Sequence, residues 1–289
     1  MAHGADRPCR SALYIPGSKP RALEKAAGLP CDAIIFDLED AVTVEEKASA
    51  RAGVLSALAQ YDYGARLRIV RANGLDTPWG REDVLALADA VHAGVRIDAL
   101  LMPKVSFKKD LDAVVDLTSA LPLWAMVETA IGVLNAADIA SHPRLEGMVM
   151  GTNDLSMELQ GRHRPDRLPL LTGMGLCLLA AKAYGKVILD GVYTAFTDEE
   201  GLRAECEQGR DMGFDGKTLI HPAQLAAANA AFAPTPAELE LAERQIAAFE
   251  AVKARGQGVA VVDGKIVENL HIVTARQLIA KAKAIAEMT

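Results

Sequence analysis

Short apolar runs and stretches of helical spacing alternate eight times between Ser11 and Phe232. The runs read as strands at Ser11–Ile15, Ala33–Leu38, Leu67–Val70, Ala99–Met102, Leu123–Val127, Gly147–Met150, Val187–Leu189 and Phe214–Ile220. Runs such as AIIFDL are almost continuously apolar, the pattern of parallel strands buried on both faces. A helix is expected after each. The first begins near Pro20 with Ser18 as its cap, and the second runs to Gln60 behind a Thr43/Glu46 capping box. The others read as Glu82–Ala93, Lys108–Ala120, Ile131–Ala140, Leu171–Tyr184, Asp198–Met212 and Gln224–Phe232. Eight strand-then-helix units predict a (β/α)8 barrel. A doubly wound open sheet is the alternative, but no strand is followed by the G-x-G-x-x-G pattern that binds dinucleotides in that fold.

The barrel is expected over residues 10–233, with residues 1–9 a disordered lead-in and Leu155–Pro169 a polar excursion. After Pro234-Thr-Pro236 the composition shifts. Residues 234–289 read as helix, hairpin and helix, the hairpin turning on Asp263-Gly264. They form an extension expected to cover the barrel mouth or a neighbouring subunit. A net charge of −7 argues against a nucleic-acid partner held by phosphate neutralisation. No apolar run is long enough to span a membrane. Cys9, Cys31, Cys177 and Cys206 lack metal-ligand spacing and read as thiols in a reducing compartment. The first ten residues lack the apolar core of a secretion signal. The expectation is a cytoplasmic protein.

Charged groups gather at strand ends: Asp37, Glu39 and Asp40, then Arg71, Lys104, Glu128, Asp154, Asp190 and His221. Each has an ordinary structural use. Glu128 can cap the helix after it, Asp154 can sit in a polar loop, Arg71 can pair with Asp37 or Glu39, and His221-Pro222 can start a helix. As a set they are harder to dismiss, because one rim of a barrel gathers strand ends into one site. Acids suited to Mg2+, beside Arg and Lys suited to anions, make a site for a small oxygen-rich anionic substrate.

Seven ordered motifs carry a resemblance: SALYIPGS, DLEDAV, RANG, LMPKV, ETAIGVLN, GTNDL and GKTLIHPAQL. In these the chain, from about residue 10 to residue 275, resembles the citrate lyase beta-subunit-like family, the HpcH/HpaI group of aldolases and CoA-ester lyases. The resemblance implies a Mg2+-dependent barrel, assembled as a homotrimer or hexamer. It implies cleavage of a β-hydroxyacyl-CoA, such as a malyl-, citramalyl- or citryl-CoA, into an acyl-CoA and a 2-oxo acid. A thioesterase on the same scaffold, or an aldolase that needs no CoA, is the alternative. Carried over by motif, Glu128 and Asp154 hold Mg2+, Arg71 binds and polarises the substrate, and Asp37 with Glu39 orients Arg71 or metal-bound water. Arg10 and Lys19 are the cations expected to meet the phosphates of CoA. The family's C-terminal G-x-M-[IV]-D-x-[AP] motif supplies an acid or base, and this chain has Glu268 at the Asp position. Capping of the last helix is the structural alternative for Glu268.

Overall fold

The computed structural model of the chain describes residues 7–118 and 120–288. Eight parallel strands close into a barrel in sequence order. They are β1 (Ser11–Pro16), β2 (Ala33–Asp37), β3 (Leu67–Arg71), β4 (Ala99–Met102), β5 (Leu123–Val127), β6 (Leu145–Met150), β7 (Val187–Asp190) and β8 (Gly216–Leu219). β8 seals the ring against β1, with Ser11 opposite Lys217 and Leu13 opposite Leu219. This is the (β/α)8 barrel, and the open sheet is excluded. The outer ring contains α1 (Pro20–Ala26), α2 (Lys47–Gln60), α3 (Gly80–His92), α4 (Lys108–Val115), α5 (Ala130–Leu134), α6 (Ala136–Ala140), α7 (Thr152–Leu159), α8 (Leu171–Ala183), α9 (Glu199–Met212) and α10 (Leu225–Ala231).

Alternation along each strand builds two apolar layers. Ala12, Ile35, Ile69, Leu101, Trp124, Met126, Val149 and Leu189 face inward and fill the barrel. Leu13, Ile34, Phe36, Val70, Leu100 and Ile188 face outward under the helices. Burial on both faces is why these strands are legible as continuous apolar runs. The inner layer depends on size matching: a side chain at Gly147 would run into the indole of Trp124 on the neighbouring strand.

Several local expectations need correction. Lys19, not Ser18, occupies the position before α1, and no side chain caps that helix. Thr43 Oγ1 bonds the Glu46 carboxylate at 3.2 Å rather than a backbone N–H, and Val44–Glu46 form a 3₁₀ turn ahead of α2. The predicted Ile131–Ala140 helix is broken at Asn135 into α5 and α6; the Asn135 side chain is drawn to the Ser106 carbonyl at 2.9 Å. The first part of the polar excursion is helical, because α7 buries Leu155 and stops only at Gln160, which has φ 52°. The lead-in is shorter than expected: Cys9 is already buried, and residues 1–6 lie outside the described residues.

The chain divides into two compact units, one of them Cys9–Phe232. The other contains α11 (Pro236–Lys253), the hairpin β9 (Ala260–Val262) and β10 (Lys265–Val267), and α12 (Asn269–Met288). Thr235 and Glu238 form a reciprocal capping box at the start of α11. Asp263 and Gly264 both have positive φ, as a two-residue hairpin turn requires. Phe249, Val262, Val267 and Ile272 form the small core of this unit.

Candidate active site

The site is built where strands end. Asp37 and Arg71 are register partners on β2 and β3, each the last residue of its strand. Asp37 grips Arg71 bidentately: Nε donates to Oδ1 at 2.7 Å and Nη2 to Oδ2 at 2.6 Å. Arg71 Nη1 faces Glu39 Oε2 at 2.7 Å and Asp40 Oδ2 at 3.1 Å. Its guanidinium carbon lies 4.9 Å from the ring centre of Tyr14, which faces inward from β1. Burial works against the charge of Arg71, but Asp37 and Glu39 keep it firmly protonated. Asp37 is itself fixed by N–H groups of Glu39 and Ala41. The guanidinium is therefore held in one orientation at the barrel mouth.

Glu128 follows β5 and is 3 % exposed. Its Oε1 accepts the backbone N–H of Lys104 at 2.7 Å. Lys104 has φ 52°, the left-handed conformation, at the residue that makes this bond. Gly151, after β6, leaves room for the carboxylate; a Cβ there would collide with Cβ and Oε2 of Glu128. Burial pushes Glu128 up to about 8, and Asp154 and Glu39 push the same way. Burial likewise raises Glu39 to about 7, against the pull of Arg71. Among the described residues, no group donates a hydrogen bond to the Asp154 carboxylate on α7. Tyr14, Asp37, Arg71, Met126, Glu128 and Asp154 line one cavity of about 300 Å³.

The donor set fits Mg2+. Two carboxylates, one buried and poorly neutralised, suit a hard cation that keeps waters and takes substrate oxygens. It does not suit a closed all-protein site: among the described residues, no three His, Cys, Asp or Glu side chains converge for a metal.

Comparison with known proteins places this geometry. The profile of the HpcH/HpaI aldolase/citrate lyase family matches residues 10–222. The chain belongs to the HpcH/HpaI aldolase/citrate lyase family. It is 69% identical over 286 residues to a (3S)-malyl-CoA thioesterase of Cereibacter sphaeroides, covering 99% of this chain and 98% of that one. It is 34% identical over 310 residues to the L-malyl-CoA/beta-methylmalyl-CoA lyase of the same species, covering 97% and 96%. Among solved structures it resembles the Mycobacterium tuberculosis protein CitE in complex with magnesium, acetoacetate and coenzyme A. That likeness has a TM-score of 0.79 at 28% identity, covering 96% of this chain and 99% of that one.

Within this HpcH/HpaI barrel, Asp37, Glu39, Asp40, Arg71, Glu128 and Asp154 come together, and Lys104 Nζ reaches Glu39 Oε1 at 3.6 Å. Lys19 is exposed in the loop after β1. Arg10 is corrected. It precedes β1 and so lies at the opposite end of the barrel, buried and locked to Asp32 by two bonds of 2.8 Å. A guanidinium held there has no access to a ligand at the mouth. Asp190 is corrected too: its neighbour Leu189 faces inward, so Asp190 faces outward. It joins Arg167, Lys217 and Glu205 in a buried ion network beneath α9. His221 caps a 3₁₀ turn, its Nδ1 accepting from Ala223 N at 3.2 Å. Glu268 is exposed just before α12, and its backbone N–H donates to His271 Nδ1 at 3.0 Å. Sequence reasoning missed Tyr14, Met126 and Gly151. Tyr14 and Met126 lie inside apolar strand runs, and only strand parity with Ala12 and Trp124 marks them as inward-facing.

Proposed function

We propose that this chain hydrolyses a (3S)-malyl-CoA-like thioester to the free hydroxy acid and CoA, at a site where Glu128 and Asp154 hold Mg2+. The observation that carries this reading is the 69% likeness to a (3S)-malyl-CoA thioesterase, which spans nearly the whole of both chains. The magnesium in the CitE complex and the carboxylate pair at the mouth support the metal. When bound, Mg2+ acts as a Lewis acid toward the substrate oxygens it touches. Glu128 and Asp154 are the residues that would hold that charge. Arg71, clamped by Asp37, presents a fixed positive charge to the thioester carbonyl oxygen, where negative charge grows as water adds. Its orientation is set before substrate arrives, so little reorganisation is needed in the reaction. Glu268 serves as the acid or base that moves the water's proton. Lys19 meets CoA phosphate at the rim, and Lys19→Ala is expected to raise KM for the CoA ester without lowering kcat.

Carbon–carbon cleavage is the second reading, supported by the 34% likeness to a malyl-CoA lyase. The same arrangement serves it, since cleavage also leaves negative charge on the thioester oxygen, as an enolate. One assay separates the two. With (3S)-malyl-CoA and Mg2+, hydrolysis releases free thiol and no 2-oxo acid. Glyoxylate without free thiol would establish the lyase and overturn the hydrolase. Loss of either product on chelation of Mg2+ tests the metal.

A further inference from the structure

Arg71 alone gives the carbonyl oxygen poor support. A guanidinium has five N–H donors. In Arg71, Nε and one Nη2 N–H go to Asp37, and Nη1 faces Glu39 and Asp40. One Nη2 N–H is left for a ligand. An oxygen that becomes negatively charged has more than one lone pair to satisfy, and the side chains of Met126, Met150 and Val192 in the cavity wall offer it no N–H or O–H donor. A second donor is needed near Arg71.

We propose that Tyr14 is that donor, a catalytic residue whose phenolic O–H bonds the thioester carbonyl oxygen beside Arg71. Three observations carry it. Tyr14 faces into the barrel from β1 and lines the same cavity as Arg71, Glu128 and Asp154. Its ring lies against the Arg71 guanidinium, 4.9 Å from ring centre to guanidinium carbon, so the two groups address one region. Among the described residues, nothing accepts a hydrogen bond from its hydroxyl, whereas the buried Tyr63 hydroxyl is bonded to the Leu23 carbonyl at 3.0 Å. Burial, working against the charge of Arg71, raises the phenol above its ordinary value, so it is present as a donor.

The step balances as follows. The water oxygen forms a bond to the carbonyl carbon, and the carbonyl π pair moves onto the oxygen held by Tyr14 and Arg71. The water's proton passes to Glu268. When the pair returns, the C–S bond breaks and the sulfur leaves as CoA thiolate, which takes that proton. This rests on the thioester reading above, but not on which bond breaks, because carbon–carbon cleavage loads the same oxygen.

The test is Tyr14→Phe, which removes one oxygen and keeps the ring against Arg71. We expect kcat with (3S)-malyl-CoA to fall about 10²-fold while KM changes less than about 3-fold, the signature of a bond made mainly in the transition state. The thermal shift on adding Mg2+ should match that of the wild type and report an intact metal site. A kcat within about 3-fold of wild type, or a raised KM with unchanged kcat, would overturn the proposal. The wild-type product is read separately. Glyoxylate in place of thiol removes the hydrolase reading, and the same variant still decides the role of Tyr14.

Discussion

Gly151 and Glu128 depend on each other. A methyl group at Gly151 collides with the side chain that holds one end of the metal site, so Gly151→Ala is expected to lower Mg2+-dependent turnover at least about 10-fold, in a protein that still folds. Arg71→Lys keeps the charge but loses the fork that Asp37 grips, and a fall in kcat of about 10²-fold is expected from steady-state assays. Glu128 also links stability to pH. In metal-free protein it keeps its proton up to about 8, against 4.5 for an ordinary glutamate. Between those values the unfolded chain is ionised at this position and the folded chain is not, so stability falls as pH rises. Glu128→Gln mimics the protonated form. In urea titrations with chelator it should exceed the wild type by a few kcal/mol at pH 8, and the gap should close toward pH 5. Saturating Mg2+ should raise the wild-type melting temperature, and neither Glu128→Gln nor Asp154→Asn should respond. At this scale the sequence was partly legible. Acids and Arg71 announce themselves by following a strand. Arg10 misled because it precedes one, and Tyr14 stayed hidden because a tyrosine in an apolar run looks like core.

Between elements, strand parity decides what a charge can do. Asp190 ends β7 as Asp37 ends β2, yet one residue's difference in register turns it outward, where Lys217 Nζ lies 3.0 Å from it and 2.6 Å from Glu205. Arg167 reaches the same carboxylate at 2.8 Å and so ties the loop after α7 to β7. Lys217 is wholly buried. Lys217→Met leaves Asp190 and Glu205 short of charge, and destabilisation of about 3–5 kcal/mol is expected in urea melts. Strands and their order were readable because burial on both faces leaves an unbroken apolar signal. The break at Asn135 was not, since helical spacing continues on either side and its cause, the Ser106 carbonyl, comes from the β4–α4 loop. The helix α7 was masked by polar composition, with Leu155 its one fully buried apolar anchor.

The whole molecule carries a second unit with its own small core, and Glu268 belongs to that unit. Glu268→Gln should lower turnover at least about 10-fold without altering Mg2+ binding. If Glu268 serves a neighbouring copy, mixing this variant with Arg71→Lys should restore activity that neither has alone. The seam of the barrel bears on how such a chain comes into being. Ser11 finds its partner in Lys217, so the ring cannot close on the ribosome until most of the chain has been made. Until then β1 waits with one edge open, a pairing between distant positions that is slow to form and open to association with other nascent chains. Cells that overproduce the protein quickly should therefore lose more of it to inclusion bodies than cells that make it slowly, and slower elongation before β8 should do little to help.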